Sequence, residues 1–124
     1  MHRWFLIGLG GLIGTLLRYG IGNLISQRYG ETFLLGTMVV NAAGCFLAGL
    51  LYYFLSESIP TNPTTRAVVF VGLLGGFTTF SAFGLQTFTL IKDGEMFLAL
   101  VNVLASNIVC LCLVWLGYSL AKAI

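Results

Sequence analysis

The sequence predicts an all-α membrane protein with four transmembrane helices, the third of them broken near residues 75–79. Three observations predict it. Hydrophobic residues make up 58% of the 124-residue chain and charged residues only 8%, against about 25% charged in soluble domains. Such a chain cannot cover a water-facing surface. The apolar residues fall into four runs long enough to cross a hydrocarbon core, separated by short polar stretches. The third run contains GLLGGFTTFSAF (residues 72–83), which sets a glycine pair beside three hydroxyls at bilayer depth. The net charge of +2 is too small and too scattered to suggest nucleic acid as a partner.

The first helix is expected at about residues 4–25. No small-x-small cleavage site follows its apolar core, and three more apolar runs come after it, so it reads as a retained span. Trp4 suits an interfacial anchor, and Gly10 with Gly14 forms a G-xxx-G notch for a neighbouring helix. Arg18 lies about 21 Å past Trp4 at 1.5 Å per residue. Two roles suit it: a cation snorkelling from a helix end, or a cation facing a wet vestibule. Apolar residues continue through Ile25, which favours the vestibule. After a polar loop with Arg28 and Glu31, the second helix is expected at about residues 33–55. Thr37, Asn41, Gly44 and Ala48 share one small, polar face of it. Asn41 serves there either as interhelical glue or as an amide that donates to an anion.

The longest connection, residues 56–65, holds both prolines, Pro60 and Pro63. The third helix is expected at about residues 66–91. Gly75-Gly76 loosens a helix, and the hydroxyls of Thr78, Thr79 and Ser81 follow at once. In lipid, loosened backbone is tolerated only where protein or a water-filled cavity surrounds it. Such breaks are where membrane proteins bind ions, although a glycine pair also serves as a packing notch, and Gly72 with Gly76 makes a second G-xxx-G pair. Phe77, Phe80 and Phe83 recur every three residues, which on a continuous helix makes one stripe. The fourth helix is expected at about residues 96–121, with Asn102 and Ser106 on one face and Trp115 and Tyr118 at the far interface. Cys45, Cys110 and Cys112 all fall in apolar runs and read as small packing residues. His2 is the only histidine, so a His-based metal site or catalytic triad is not expected.

The charges carry the functional reading further. Arg3, Arg66 and Lys122 fall on one side and Arg28 and Lys92 on the other, three against two. That bias is too weak to fix an orientation; a chain that inserts both ways permits an antiparallel homodimer. No Asp or Glu lies within any apolar run, whereas a proton-coupled cation exporter needs one to exchange protons. The one buried-looking charge is positive, and donors accompany it: Asn41, Thr37, Ser81, Asn102 and Ser106. Donors with a cation describe a path for an anion, and electropositive ring edges of phenylalanine suit a small one.

These residues resemble the Fluc fluoride channels, also called CrcB proteins. The resemblance rests on GGLIGTLLRY (residues 10–19), on Thr37 with Asn41 and Gly44, and on GGFTTFSAF (residues 75–83), and it spans essentially the whole chain. It implies an antiparallel homodimer with two pores in a bacterial inner membrane, passive and selective fluoride export, and no enzymatic chemistry. It implies that Phe80 and Phe83 face the pores, that Asn41 donates to fluoride, and that Arg18 stands at the vestibule. Of the hydroxyls on the fourth helix, Ser106 best fits the path. It also implies a structural Na⁺ at the dimer centre, held by the backbone carbonyls of Gly75 and Thr78. Asn102 stands where some members carry Tyr, Cys110 where some carry Ser, and Ala82 where many carry Thr. The rival readings are a small proton-coupled multidrug-type transporter, against which the missing carboxylate counts, and a non-transporting structural subunit.

Overall fold

A backbone in lipid must satisfy its own hydrogen bonds, and the apolar runs do so as helices. The computed structural model describes residues 1–30 and 33–124; Glu31, counted among the loop charges, lies outside them. The first helix, α1 (His2–Tyr29), has 28 residues and is about 42 Å long at 1.5 Å per residue. Gly30 ends it at φ 85°. The second, α2 (Phe33–Tyr52), continues as a wider π-helical turn over Tyr53–Ser58, closed by the Ile59 amide donating to the Phe54 carbonyl at 2.8 Å. The third span begins at Pro63, capped by Asn62, whose side chain accepts from the Thr65 amide at 2.8 Å. We call its first part, residues 63–77, α3; the turns of Ala67–Leu74 within it are π-helical. After an interruption, α4 (Phe80–Lys92) completes the span, and α5 (Met96–Ala123) is the fourth. Gly94, at φ 79°, makes the turn between them, with the Glu95 amide returning to the Leu90 carbonyl at 2.8 Å.

Two parallel pairs of helices organise these spans, and glycine decides where each pair touches. In the first, α1 lies on α3. A Cβ added at Gly72 would sit 2.6 Å from the Ile7 carbonyl oxygen, and one at Gly76 2.6 Å from that of Gly11; one at Gly14 would overlap the Leu73 carbonyl. The two G-xxx-G notches, Gly10 with Gly14 and Gly72 with Gly76, therefore face each other. In the second pair, α2 lies on α5, with Gly49 against the Val114 carbonyl and Gly117 against that of Phe46. Where α2 ends, the ring of Tyr118 lies 6.3 Å from Tyr52 and 5.9 Å from Tyr53, and its hydroxyl donates to Glu57 at 2.9 Å. Tyr118 so joins α5 to the α2 terminus at one interface.

The spans are apolar outside as well as inside. At most 22% of each apolar window is buried within the chain. Trp4, Phe80, Phe88, Phe97 and Trp115 are all exposed. An apolar surface on that scale belongs in lipid or against another chain, and the four spans make this a multi-pass membrane protein.

Candidate functional site

The interruption of the third span lies at Thr78 and Thr79, separated from the glycine pair by Phe77 alone. Gly75 keeps helical angles (φ −62°, ψ −37°), whereas Thr78 (φ −85°, ψ 158°) and Thr79 (φ −147°, ψ 120°) are extended. The chain thus leaves the helix after the glycine pair and not at it. Gly76 is a packing notch for α1, as its closeness to Gly11 requires. What holds the interruption open is Asn41 on α2. Its Oδ1 accepts from the Thr79 amide at 2.8 Å, and its Nδ2 donates to the Thr79 carbonyl at 3.0 Å. One side chain therefore replaces both helical partners of a single residue. In lipid each of those groups would otherwise cost several kcal/mol unpaired.

Each side of the interruption is finished locally. The Thr78 amide and hydroxyl both donate to the Leu74 carbonyl at 2.9 Å, closing α3. The Thr79 hydroxyl accepts from the Ala82 amide at 3.2 Å, which caps α4. Two amides are thereby diverted. In a continuous helix Thr79 N–H would close on the Gly75 carbonyl and Ala82 N–H on the Thr78 carbonyl; here they bond Asn41 and the Thr79 hydroxyl instead.

Extended residues also change which way the phenylalanines point. Phe77, in α3, is buried and packs over Gly44, while Phe80 is 80% exposed. The expected stripe of three is therefore a pair: the rings of Phe80 and Phe83 lie 5.4 Å apart at 48°, and the interruption turns Phe77 away from them.

Two cavities flank the Asn41–Thr79 clamp. One, of about 390 Å³, is lined by Arg18, Thr15, Asn23, Ser26 and Thr37. The other, of about 240 Å³, is lined by Asn41, Thr78, Phe80, Phe83, Ser106 and Asn107, among others. Thr79 borders both. The expected donors accordingly do not all gather round Arg18. Thr37 shares its cavity, whereas Asn41 and Ser106 stand on the other side of Thr79 with the two rings. Ser81 is exposed, its hydroxyl 3.2 Å from that of Thr79. Gly75 borders neither cavity; Thr78 borders the second.

Gln86 and Thr87 escaped the sequence reading, which names Asn102 and Ser106. Gln86, on α4, is 3% exposed and donates to the Thr37 hydroxyl at 2.6 Å. Asn102, 5% exposed, donates to the Thr87 hydroxyl at 3.0 Å and accepts from Ser106 at 3.4 Å. Gln86 lies three residues after Phe83 and seven after Thr79, so the helical spacing that singled out the phenylalanines points to it as well.

A polar interruption clamped by an amide, between two cavities with polar side chains on their walls in an apolar bundle, is an arrangement found where membrane proteins bind or move polar species. The chain belongs to the CrcB-like family, whose model, described as "CrcB-like protein, Camphor Resistance (CrcB)", matches residues 5–118. It is 42% identical over 124 residues to the fluoride-specific ion channel FluC of Geobacter sp. (strain M21), covering all of both chains. It is similar, at 44% over 120 residues, to that of Shewanella amazonensis, covering 97% of this chain and 96% of the relative. The Aquifex aeolicus channel of the same name is 35% identical over 120 residues, with 97% of each chain covered.

Proposed function

We propose that this chain is a fluoride channel, not an enzyme, and works as an antiparallel homodimer that lets cytoplasmic fluoride leave down its electrochemical gradient. The observation that carries the reading is the second cavity. Its polar lining can donate through Asn41 and Asn107, and through Ser106 once its hydroxyl turns from Asn102, and its aromatic lining is the Phe80–Phe83 pair. Asn41 spends one amide proton on Thr79 and keeps the other for an anion. Amide and hydroxyl donors with ring edges replace the hydration shell of a small, hard anion. Arg18, in the first cavity with Thr37, draws anions toward Thr79 from the other side. Ser81, joined to Thr79, continues the row of hydroxyls.

The exposed ring of Phe80 has a natural cover in a second copy, and lipid covers the remaining apolar faces. At the dimer centre the Gly75 and Thr78 carbonyls suit Na⁺. Both are hard oxygen ligands, and both have lost their ordinary helical donors. Bound there, Na⁺ would supply positive charge that ties the two interruptions together. The bacterial plasma membrane suits such an exporter.

A proton-coupled transporter would need an acid to carry its proton, and among the described residues the one carboxylate within a span, Glu57, is exposed at its end. Fluoride efflux from liposomes holding only this protein, read with a fluoride electrode, tests the reading. Rapid fluoride loss without chloride loss is expected; retention of fluoride by liposomes containing folded protein would overturn it. Phe80→Ile is expected to lower that efflux while size-exclusion chromatography still reports a dimer. Loss of the dimer would instead make Phe80 a packing residue.

A further inference from the structure

Cys45 on α2 and Cys110 on α5 are far apart in the chain, yet both line the second cavity, beside Asn41, Phe80 and Ser106. Both are half-buried and neither is in a disulfide. α2 and α5 pack against each other here, which brings the two cysteines to one cavity wall. Cys112 is exposed and borders none of these cavities. From the sequence all three cysteines read as packing residues, because all fall in apolar runs. The fold brings the other pair to the wall of one cavity, which Asn41, Ser106 and Asn107 also line.

Among the described residues no histidine, carboxylate or third cysteine joins them in a metal-sized cluster. Four-coordinate zinc is therefore not served. Two thiols with no hard ligand suit a soft, thiophilic partner. We propose that Cys45 and Cys110 form a dithiol site for a soft metal or metalloid, and that its occupation obstructs the path beside Phe80 and Phe83. The obstruction, though not the binding, rests on the anion path proposed above. With a trivalent organoarsenic oxide the step balances without electron transfer. Two S–H bonds and the As=O bond break, two As–S bonds form, and both protons leave with the oxygen as water. The product bridges α2 to α5 with an organic group lying in the cavity.

The test uses the full chain in liposomes treated with phenylarsine oxide. Free thiols, intact mass and fluoride efflux are each compared with the same sample untreated. In the unsubstituted protein two of the three thiols are expected to disappear and one phenylarsenic group to appear per chain. That adduct should resist excess monothiol and be released by a dithiol, and efflux should fall to background while it is present. Cys112→Ser should behave identically. Cys45→Ser and Cys110→Ser should each form no monothiol-resistant adduct, and the reagent should not change their efflux. A folded protein that forms no resistant adduct, or one whose adduct needs Cys112, overturns the site. An adduct that forms while efflux is unchanged overturns the obstruction. Absence of efflux before any reagent is added tells against the channel reading alone, since the thiol and mass readouts do not depend on it.

Discussion

Asn41→Asp is expected to cut fluoride flux by roughly three orders of magnitude. A carboxylate keeps the acceptor for the Thr79 amide but has no N–H for the Thr79 carbonyl, to which Asn41 now donates at 3.0 Å. It also sets a negative charge on the wall of the cavity shared by Phe80 and Phe83. A unit charge about 4 Å from the ion, at an effective dielectric constant of about 20, costs about 4 kcal/mol, and each 1.4 kcal/mol is about tenfold in rate. The neutral Asn41→Ala separates the two effects. It leaves the Thr79 amide and carbonyl without their partner, at about 1–3 kcal/mol each, so it should lower thermal stability as well as flux. Efflux and melting temperature measured side by side check both substitutions. Undiminished flux in Asn41→Asp would remove Asn41 from the anion path.

The second large effect is on assembly of the bundle. Gly49→Leu drives a Cβ into the Val114 carbonyl, and Gly14→Leu drives one into the Leu73 carbonyl. Neither neighbour is a flexible side-chain tip, so the helices must separate. Overpacking costs about 1–3 kcal/mol where side chains give way, and backbone against backbone should reach about 3 kcal/mol or more on the same scale. Gly84→Ala is the control, because nothing lies within 4 Å of its added Cβ. The expected order in a detergent melt is Gly84→Ala close to the unsubstituted protein and both leucine variants far below it. Equal melting of Gly49→Leu and Gly84→Ala would mean that α2 and α5 do not pack as described.

These two cases also mark what could be read before folding. Hydropathy alone located four spans, because lipid demands long apolar helices. The paired notches on α1 and α3 were legible as G-xxx-G, though not that they face each other. Gly49 and Gly117 carry no such spacing, and only the register of α2 on α5 brings them to opposing carbonyls. The interruption was expected among residues 75–79, and its position within them turned on a partner 38 residues away: Asn41 takes the Thr79 amide, so Thr79 and not Gly75 leaves the helix. Gln86 was passed over because one amide in an apolar run looks like a solitary polar residue until Thr37 is beside it. The Cys45–Cys110 pairing, likewise, is a property of two helices and of neither alone. Periodicity names the face of a helix, and cross-helix register decides what that face meets.

The most direct test of the central claim is the reversal potential of current through purified protein in a planar bilayer, with fluoride on one side and chloride on the other. A passive fluoride-selective channel predicts a reversal potential that follows the fluoride gradient and stays put when a pH difference is imposed. A reversal potential that follows chloride, or that moves with the proton gradient, would contradict it.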